Sequence, residues 1–461
     1  MKKIVFLWPF NVSYSTSVWF LELSKYIKRS GYDIKVIYSN LLFSDDNMSL
    51  PKDAAKEPKR SFENVVDNVK KHDPEIIFIG SQDNQNPHMS FIRKFCKRYK
   101  NIKSKTKLII GGFIPTFLPE KTLSFTDADF VLKGDYKTIL SKLINAIAYG
   151  NEIENIKGIS FFKDEKYIFT GEPDKIDKAE KPEFIDYDDV LGNTPSRIDI
   201  RTSKGCLMNC GFCNLHEFWE KPVKYYSEEH VIKQIEHLKK RHDFNYIHII
   251  DEMFLNKIKR AEVLSEKIHK KFPKLKWGAM IRNEFVSDDS IKTLARNGFS
   301  NTAVGIESNN PKILKFLNKS PNISNYISRI DYTLDILSKN IDVLEIGLII
   351  GTPVESSNDI IDQIDLMKKI RAKKRELKTL RIALGKLRVD VGSGLWKKYQ
   401  DKEISLIKEN NFKSDFHKFF ESDTIDLVWP ALHNYSIKNN NFESQRDHED
   451  LMNLAFREVR S

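Results

Sequence analysis

The sequence predicts an α/β protein that contains two sheets of parallel strands, one in each half of the chain. Short apolar runs alternate with segments of helical periodicity over most of the 461 residues. Many of these runs end in glycine or in an acidic residue, which is typical of strands that lead into a ligand-binding loop. Three of the four cysteines lie within the eight residues 206–213. A chain of this length is expected to fold as two or three domains.

The first predicted domain covers residues 1–149 and alternates strands with helices at short spacing. Its strand-like apolar runs are 4–8, 34–38, 75–79, 107–110 and 129–132. Segments with helical periodicity lie between and after them, at 17–30, 62–71, 87–99 and 136–148. Because each strand ends in glycine or a polar loop, the pattern predicts a doubly wound sheet with its ligand at the carboxyl ends of the strands.

Two segments of mixed composition flank the second predicted domain, which covers residues 197–400. Residues 150–196 are predicted to form a linker that contains one hairpin-like strand after Gly158 and is punctuated by Pro182 and Pro195. Residues 401–461 are polar and rich in Asn and Lys, with apolar side chains at Phe419 and Phe420. They are predicted to form a small C-terminal helical cap.

Within residues 197–400 the alternation of strands and helices continues. The predicted strands are 197–200, 246–250, 277–281, 302–306, 345–349 and 380–384. The first strand leads through Gly205 into the cysteine segment, and an amphipathic helix follows with Ser227 as its N-cap. Barrel enzymes place their reactive groups on loops at the carboxyl ends of strands, so the cysteines occupy a position suited to chemistry.

The cysteine segment predicts a metal centre with one open coordination position. Cys206, Cys210 and Cys213 supply three soft thiolate ligands, whereas the fourth cysteine, Cys96, lies alone far upstream. Closed zinc sites and ordinary cubane clusters need four ligands. Two alternatives remain open on these residues alone: a zinc site completed by His216, or three small side chains packed in a core.

The spacing of the three cysteines resembles that of the radical S-adenosylmethionine (SAM) superfamily. The resemblance implies a 4Fe–4S cluster on these cysteines, with SAM chelating the fourth iron. It also implies that Phe212 lies near the adenine of SAM and that the acidic pair Asp251 and Glu252 meets its amino group. Arg282, at the exit of the third strand, is suited to the carboxylate of SAM. A helix N-cap for the acidic pair and a structural salt bridge for Arg282 are the competing interpretations.

Later strands carry further motifs that resemble this superfamily. The fourth strand closes in Gly305-Ile-Glu307-Ser308, whose polar pair, Glu307 and Ser308, is implied to face SAM. The fifth strand resembles the adenine-contacting motif through Gly347, Ile349 and Gly351. In family order these motifs imply a partial (β/α)6 barrel. The loop after the sixth strand, Gly392-Ser-Gly394-Leu-Trp396, departs from the family pattern because it lacks a proline.

The first domain resembles the Rossmann-like cobalamin-binding domain that precedes one branch of the same superfamily. The resemblance rests on two segments, 111–119 and 129–135, and implies a cobalamin site at Gly111, Gly112, Gly134 and Asp135. Glycines at strand ends allow a bulky flat ligand to approach the backbone. No Asp-x-His-x-x-Gly sequence occurs, so no histidine is assigned as a lower cobalt ligand. The alternative is a degenerate unit that binds no cofactor.

Composition narrows the classes of partner and location. The net charge is +11, but the lysines are spread along the chain beside acidic residues, so we expect no nucleic-acid partner. No run of 18 apolar residues occurs, so no membrane span is expected, and the apolar N-terminus is interpreted as a strand rather than a signal peptide.

Clustered cysteines without a disulfide pattern indicate a reducing, cytoplasmic location. No second cysteine cluster occurs, which excludes auxiliary iron–sulfur clusters.

The combined resemblance implies a radical SAM enzyme that forms a 5′-deoxyadenosyl radical and abstracts hydrogen from a small-molecule substrate. If cobalamin binds, methyl transfer to an unactivated carbon is the expected outcome, with rearrangement or cyclisation as the alternative. Such an enzyme needs an electron donor such as flavodoxin or ferredoxin. The hypothesis from another class is a zinc-stabilised module that binds a small ligand.

Overall fold

The chain divides into two units, with the boundary between residues 196 and 197. The structure is a computed structural model that describes residues 2–9, 18–39, 62–81, 86–134, 137–173, 182–185, 187, 198–219, 223–387, 389–403, 406–408 and 435–437. Among these residues, no helix is long and apolar enough to cross a membrane.

The first unit is built on a mostly parallel sheet. Among the residues described there, its strands are β1 (Lys3–Trp8), β2 (Asp33–Tyr38), β3 (Ile76–Ser81), β4 (Lys107–Gly112), β5 (Phe130–Leu132), β6 (Ile159–Lys163) and β7 (Lys166–Phe169). The helices are α1 (Val18–Arg29), α2 (Phe62–Lys71), α3 (Asn86–Ile102), α4 (Phe113–Phe117), α5 (Pro119–Thr126) and α6 (Lys137–Tyr149). The strand order is β2-β1-β3-β4-β5-β6-β7. The first five strands pair in parallel, as the alternation of strands and helices predicts.

The strand order reverses between β1 and β3, because the chain adds β2 on one side of β1 and β3 on the other. Ligands of doubly wound sheets bind at the carboxyl ends of the strands beside such a reversal. Apolar side chains pack the sheet against its helices. On α2, for example, Phe62, Val65, Val66 and Val69 are all buried, at the spacing of one helical face.

The segment predicted as a linker contributes two strands to this sheet. β6 pairs antiparallel with β5, and β7 folds back on β6. The turn between β6 and β7 is made by Asp164 and Glu165, which both have positive φ. Two such residues form the tight turn that matches the twist of a hairpin. The described residues of this segment therefore form part of the first unit.

The second unit is built on a fully parallel sheet. Among the residues described there, the strands of this unit are β8 (Ile198–Ile200), β9 (Ser203–Lys204), β10 (Lys224–Tyr225), β11 (Tyr246–Ile249), β12 (Lys276–Ile281), β13 (Phe299–Glu307), β14 (Val343–Ile350), β15 (Thr379–Lys386), β16 (Leu406–Lys408) and β17 (Tyr435–Ile437). Of these, β9 pairs with β10 and β16 with β17 in two separate antiparallel ladders, and the other six form the parallel sheet. The order β15-β14-β13-β12-β11-β8 follows the chain without reversal. Six parallel strands in sequence order form the partial (β/α)6 barrel, and the predicted α/β fold class is confirmed.

Helices alternate with the strands of this sheet, and the last of them follows β15. They are α7 (Leu215–Trp219), α8 (Glu228–Lys239), α9 (Ile258–Lys271), α10 (Asp288–Arg296), α11 (Pro311–Phe316), α12 (Ile323–Ser328), α13 (Ile330–Asn340), α14 (Ser357–Ala372) and α15 (Gly394–Gln400). Ser227 is the N-cap of α8, as predicted: its side chain accepts a hydrogen bond from the backbone N–H of His230.

The two faces of the barrel sheet differ in burial. On β14 the residues Leu344, Ile346, Leu348 and Ile350 are buried, whereas the alternating positions 343, 345, 347 and 349 are partly exposed. Successive side chains of a strand point to opposite faces, so the buried set faces the helices and the other set lines the inner face of the barrel.

The C-terminal segment differs from its prediction where the structure describes it. Residues 401–461 were expected to form a helical cap, but β16 and β17 pair as an antiparallel ladder. The other residues from 409 onward, including Phe419 and Phe420, lie outside the described residues.

Candidate functional site

The three clustered cysteines lie on one loop that follows β9, near the carboxyl end of β8. Cys210 is 8% exposed, and Cys206 and Cys213 are partly buried. Burial raises the pKa of the Cys206 thiol, and it raises that of Cys213 to about 12. A charge on the neighbouring cysteines raises both values further, so the three thiols are close enough to influence one another. A metal that replaces the protons would remove this repulsion.

Backbone contacts from two distant helices hold the cysteine loop. The N–H of Gly211 donates to the carbonyl of Leu317 at 2.7 Å, and the carbonyl of Gly211 accepts from the N–H of Leu395 at 2.8 Å. Asn318 donates from its side chain to the carbonyl of Asn209 at 2.5 Å. A side chain on Gly211 would come within 3.2 Å of the Leu317 carbonyl, so glycine suits this close approach.

Arg282 lies directly beside the loop. Its guanidinium donates to Cys210 Sγ at 3.2 Å and to the carbonyl of Lys319, and it forms an ion pair with Glu284 at 2.7 Å. Burial opposes the charge of Arg282, but Glu284 and Cys210 outweigh it and hold the pKa of Arg282 above its usual value. The structural salt bridge that competed with a functional interpretation is present, and it orients the guanidinium toward a cysteine.

Glu307 ends β13 in a buried ion pair that was not expected. Its carboxylate lies 2.8 Å from Lys319 Nζ, and the two side chains are 10% and 5% exposed. Glu307 has φ +65°, and the pairing of β13 with β14 shifts between Gly305 and Glu307. The ammonium of Lys319 also lies 5.8 Å from the ring centre of Phe212. Lys319 therefore connects the end of the fourth barrel strand to the cysteine loop.

The glycines of the neighbouring strands leave room for this ion pair. A side chain on Gly305 would overlap the carboxylate of Glu307, and one on Gly347 would reach within 3.5 Å of the Gly305 backbone. The structure thus brings Phe212, Glu307 and Gly347 to the same inner face as the cysteine loop.

The other residues of the fourth and fifth strands that are predicted to contact SAM form hydrogen bonds within the protein. The buried hydroxyl of Ser308 accepts from the N–H of Asn310 at 3.1 Å in the turn before α11. Gly351 has φ +84° and donates its N–H to Glu355 at 2.6 Å. The carbonyl of Ile349 accepts from the side chain of Gln363 at 3.4 Å. Roles in SAM binding stay predictions for Ser308, Ile349 and Gly351.

The acidic pair after β11 holds the backbone that leads into the cysteines. The Asp251 carboxylate is 2% exposed and accepts four hydrogen bonds of 2.5–3.0 Å from the N–H and hydroxyl groups of Thr202 and Ser203. Glu252 accepts from the N–H of Gly205 at 3.1 Å. Burial raises the pKa of Glu252, although Arg201, 3.6 Å away, opposes the shift. Neither acid is the N-cap of α9, which is Lys257.

The donor set suits an iron–sulfur cluster in kind, because three thiols lie on one loop and the guanidinium beside Cys210 offsets negative charge. No group of three His, Cys, Asp or Glu side chains is preassembled as a metal site in the part of the chain that the structure describes. His216, the residue that would complete a zinc site, lies 3.0 Å from Glu217, and the described residues form no assembled Cys3His group either. The ligand roles of the three cysteines stay a prediction that rests on donor chemistry and position.

In the first unit, three of the four predicted cobalamin residues lie at carboxyl ends of strands. Gly111 and Gly112 end β4, and Gly134 follows β5. Thr116 joins the two strand ends, since its hydroxyl donates to the Gly112 carbonyl at 2.6 Å and accepts from the Gly134 N–H at 3.0 Å. The fourth residue, Asp135, lies outside the described residues.

Glycine is required at position 112 because the ends of β3 and β4 approach each other closely there. It has φ +141°, and a side chain there would overlap the carbonyl oxygen of Ser81 at the end of β3. Only glycine combines this φ with so short a distance between two strand ends.

The fold and the loop define an α/β enzyme with a thiol-rich centre at the carboxyl end of a six-stranded parallel barrel. Residues 200–367 match the family model described as the radical SAM superfamily, and residues 13–144 match that of the B12 binding domain. The chain therefore combines a B12-binding domain with a radical SAM domain, and the predicted resemblance is confirmed. The predicted cofactors, SAM with its cluster and cobalamin, are confirmed at the level of these domain types.

Two proteins of similar sequence carry different names for their activities. An uncharacterized methyltransferase of Pyrococcus horikoshii is 26% identical over 323 residues, which are 67% of each protein. The anaerobic magnesium-protoporphyrin IX monomethyl ester cyclase of Synechocystis is 24% identical over 270 residues, and the match spans only 53% of its length. These relatives confirm the prediction of an enzyme.

Two solved structures share the fold. The radical SAM methyltransferase TsrM from Kitasatospora setae, solved with cobalamin and a [4Fe-4S] cluster, has a TM-score of 0.72 at 14% identity. The match covers 98% of this chain and 91% of TsrM. The cobalamin-dependent SAM radical enzyme OxsB, solved with aqua-cobalamin and SAM, has a TM-score of 0.71 at 15% identity. Here the match covers 99% of this chain and 66% of OxsB.

Proposed function

We propose that the chain is a cobalamin-dependent radical SAM methyltransferase that acts on an unactivated carbon of a small molecule. The observation that carries the proposal is the cysteine loop, which places three thiols at the carboxyl end of the barrel, with the Arg282 guanidinium 3.2 Å from Cys210 Sγ. When bound, the cluster with SAM supplies a 5′-deoxyadenosyl radical and cobalamin supplies a methyl group.

The residues of the chain would hold and orient these groups. Cys206, Cys210 and Cys213 would bind three irons, and the Arg282 guanidinium would offset the negative charge of their sulfurs. The hydrogen bonds of Gly211 fix the loop, so its sulfur atoms would keep one orientation relative to the barrel. Lys319 and Phe212 would close one side of the site against water.

Two assignments within the SAM site follow from these contacts. Glu307 is the predicted SAM-facing residue with a buried charge partner, so we assign it to hold Lys319 toward Phe212. Asp251 is fully engaged by Thr202 and Ser203, so its role in binding SAM would be to position the loop. The glycines at the ends of β4 and β5 would admit the flat face of cobalamin.

The test is anaerobic reconstitution of the full chain with iron, sulfide and hydroxocobalamin. We expect about four irons per chain, retained cobalt, and SAM-dependent release of 5′-deoxyadenosine. The variant Cys206→Ala/Cys210→Ala/Cys213→Ala should lose iron and 5′-deoxyadenosine but keep cobalt. Cys96→Ala is the matched control, because Cys96 is buried in the hydrophobic core of the first unit, and this variant should retain iron, cobalt and 5′-deoxyadenosine release.

A colourless protein that keeps one zinc would contradict the proposal and favour the zinc-binding module. A protein that binds iron but retains no cobalt would contradict the cobalamin part of the proposal and leave a radical SAM enzyme. The likeness to the cyclase supports one further candidate, rearrangement or cyclisation with the same cofactors. SAM labelled in its methyl group separates the two, since methyl transfer places the label in the product and cyclisation does not.

The proposal includes partners and location. Reducing the cluster requires an electron donor such as flavodoxin or ferredoxin, and thiols that bind iron require a reducing compartment such as the cytoplasm.

A further inference from the structure

The inner face of the barrel carries a row of four side chains across neighbouring strands. Met280 on β12 pairs in register with Ala303 on β13, which pairs with Glu345 on β14, which pairs with Arg381 on β15. Neighbouring strands lie about 4.8 Å apart, so the row spans about 14 Å. It runs from an apolar side chain through a small one to an anion and then a cation.

This row lies on the same inner face of the barrel as Gly347 and Glu307. Glu345 lies two residues before Gly347, whose open side points at Glu307. Residues two apart on a strand share a face, so Glu345 and Arg381 line the inner face below the Glu307–Lys319 pair. The step from the level of Gly347 to that of Glu345 is about 6.6 Å. The row is therefore deeper in the barrel than the residues assigned to SAM.

The two charged side chains of the row have no partner among the residues that the structure describes. Among the described residues, neither Glu345 nor Arg381 forms an ion pair or a side-chain hydrogen bond, although they are direct neighbours in register. Arg381 is exposed, Glu345 is partly exposed, and Met280 is 50% exposed although it lies within a barrel strand. A half-exposed methionine and two unpaired opposite charges on an inner face are ready to bind a ligand.

Small residues leave space in front of this row. Ala303, Gly347, Ala383 and Gly385 occupy neighbouring inner positions, and no atom lies within 3.8 Å of a side chain built on Gly385. The two charges are therefore accessible to a small ligand from the inner face of the barrel.

We propose that Glu345 and Arg381 recognise the zwitterion of an apolar α-amino acid, or of a small molecule that contains such a group. Arg381 binds the carboxylate, Glu345 binds the ammonium, and the apolar side chain lies over Ala303 against Met280. A zwitterion with its charges a few bonds apart matches two opposite charges on adjacent strands. The inference rests on the proposed function, because it names the substrate class of the same barrel.

The test uses the reconstituted full chain with SAM bound. The probes are the apolar L-amino acids from alanine to tryptophan, together with phenethylamine and 3-phenylpropionate as analogues of phenylalanine that lack one charge. Binding is measured by saturation-transfer NMR and calorimetry. At least one apolar amino acid should bind, and for the phenylalanine series removal of either charge should weaken binding about tenfold or more.

Two variants assign the charges. Arg381→Gln should weaken amino acid binding about tenfold and leave the weaker binding of phenethylamine unchanged. Glu345→Gln should weaken amino acid binding as much and leave 3-phenylpropionate unchanged. The matched controls are Arg375→Gln and Glu266→Gln, which remove exposed charges outside the row, and they should bind as the unaltered chain does.

Three results would overturn the inference. The first is no binding of any apolar amino acid up to about ten times the usual upper KM of about 1 mM. The second is a loss of SAM affinity in the two variants, which would place their charges in the SAM site. The third is a loss of thermal stability with unchanged ligand affinity, which would make the two residues a cross-strand pair. Iron content and SAM cleavage, measured in the same samples, test the proposed function separately.

Discussion

The two candidate cofactor regions of this chain are built in opposite ways. Around the cysteine loop, charged side chains from distant segments converge: Arg282 reaches Cys210, and Lys319 reaches Glu307. At the strand ends of the first unit, the described contacts depend instead on missing side chains, since Gly112 approaches the backbone of Ser81. One region is specified by paired charges and the other by the space that glycine leaves. Their tolerance of substitution should differ accordingly.

The largest expected effect is at Gly112. Gly112→Ala would force a side chain onto the Ser81 carbonyl at a backbone conformation that only glycine adopts readily. We expect a loss of about 5 kcal/mol in the free energy of unfolding of the first unit, measured by denaturant titration. Gly150→Ala is the control: Gly150 also has positive φ, but nothing lies within 4 Å, so the loss should be about 1 kcal/mol. Equal losses would show that close approach is not what Gly112 provides.

A smaller effect is expected at the buried ion pair. Lys319→Met would leave the Glu307 carboxylate buried without its partner and should lower the free energy of unfolding of the second unit by about 3 kcal/mol. The double variant Lys319→Met/Glu307→Gln should regain part of this loss, because the uncompensated charge is gone. Additive losses in the double variant would mean that the pair is not coupled. The iron content after reconstitution shows separately whether the cysteine loop still binds metal in these variants.

The smallest effect is expected at the half-exposed ion pair of Lys373 and Asp335 on the surface of the second unit. The side-chain hydrogen bond from Lys373 holds the pKa of Asp335 below its usual value. A lowered pKa means that the pair stabilises the folded state above the usual carboxyl pKa, and that this contribution disappears as pH falls through the folded value. In Lys373→Gln the pKa of Asp335 should return toward its usual value, as followed by NMR titration. Stability at neutral pH should barely change, because exposed pairs are screened by solvent. A loss as large as that of Lys319→Met would erase the contrast between buried and exposed charges.

Patterns local in the chain predicted most of the architecture. The six barrel strands, the five parallel strands of the first sheet and the cap at Ser227 depend on residue spacing within a few positions. The addition of the β6–β7 hairpin to the first sheet is not predicted by these patterns. Its turn uses Asp164 and Glu165 at positive φ, where glycine or asparagine would have given a clearer signal.

The site contacts were harder to predict because they join distant positions. Cys206, Cys210 and Cys213 are visible as a cluster in the sequence, but the lysine that meets Glu307 lies in a polar turn with no motif of its own. Likewise, nothing in the sequence shows that Asp251 binds Thr202 and Ser203 through four hydrogen bonds. Only the return of β11 beside β8 brings these groups together.

The hydrogen bond between Gly211 and Leu395 has a consequence for synthesis. Leu395 lies in α15, after the last barrel strand, so the ribosome has released almost the whole second unit before the loop obtains this anchor. Until then the three cysteines are thiols on an unfinished loop, open to oxidation and to stray metals. If these thiols hold the proposed cluster, its loading would follow completion of the barrel.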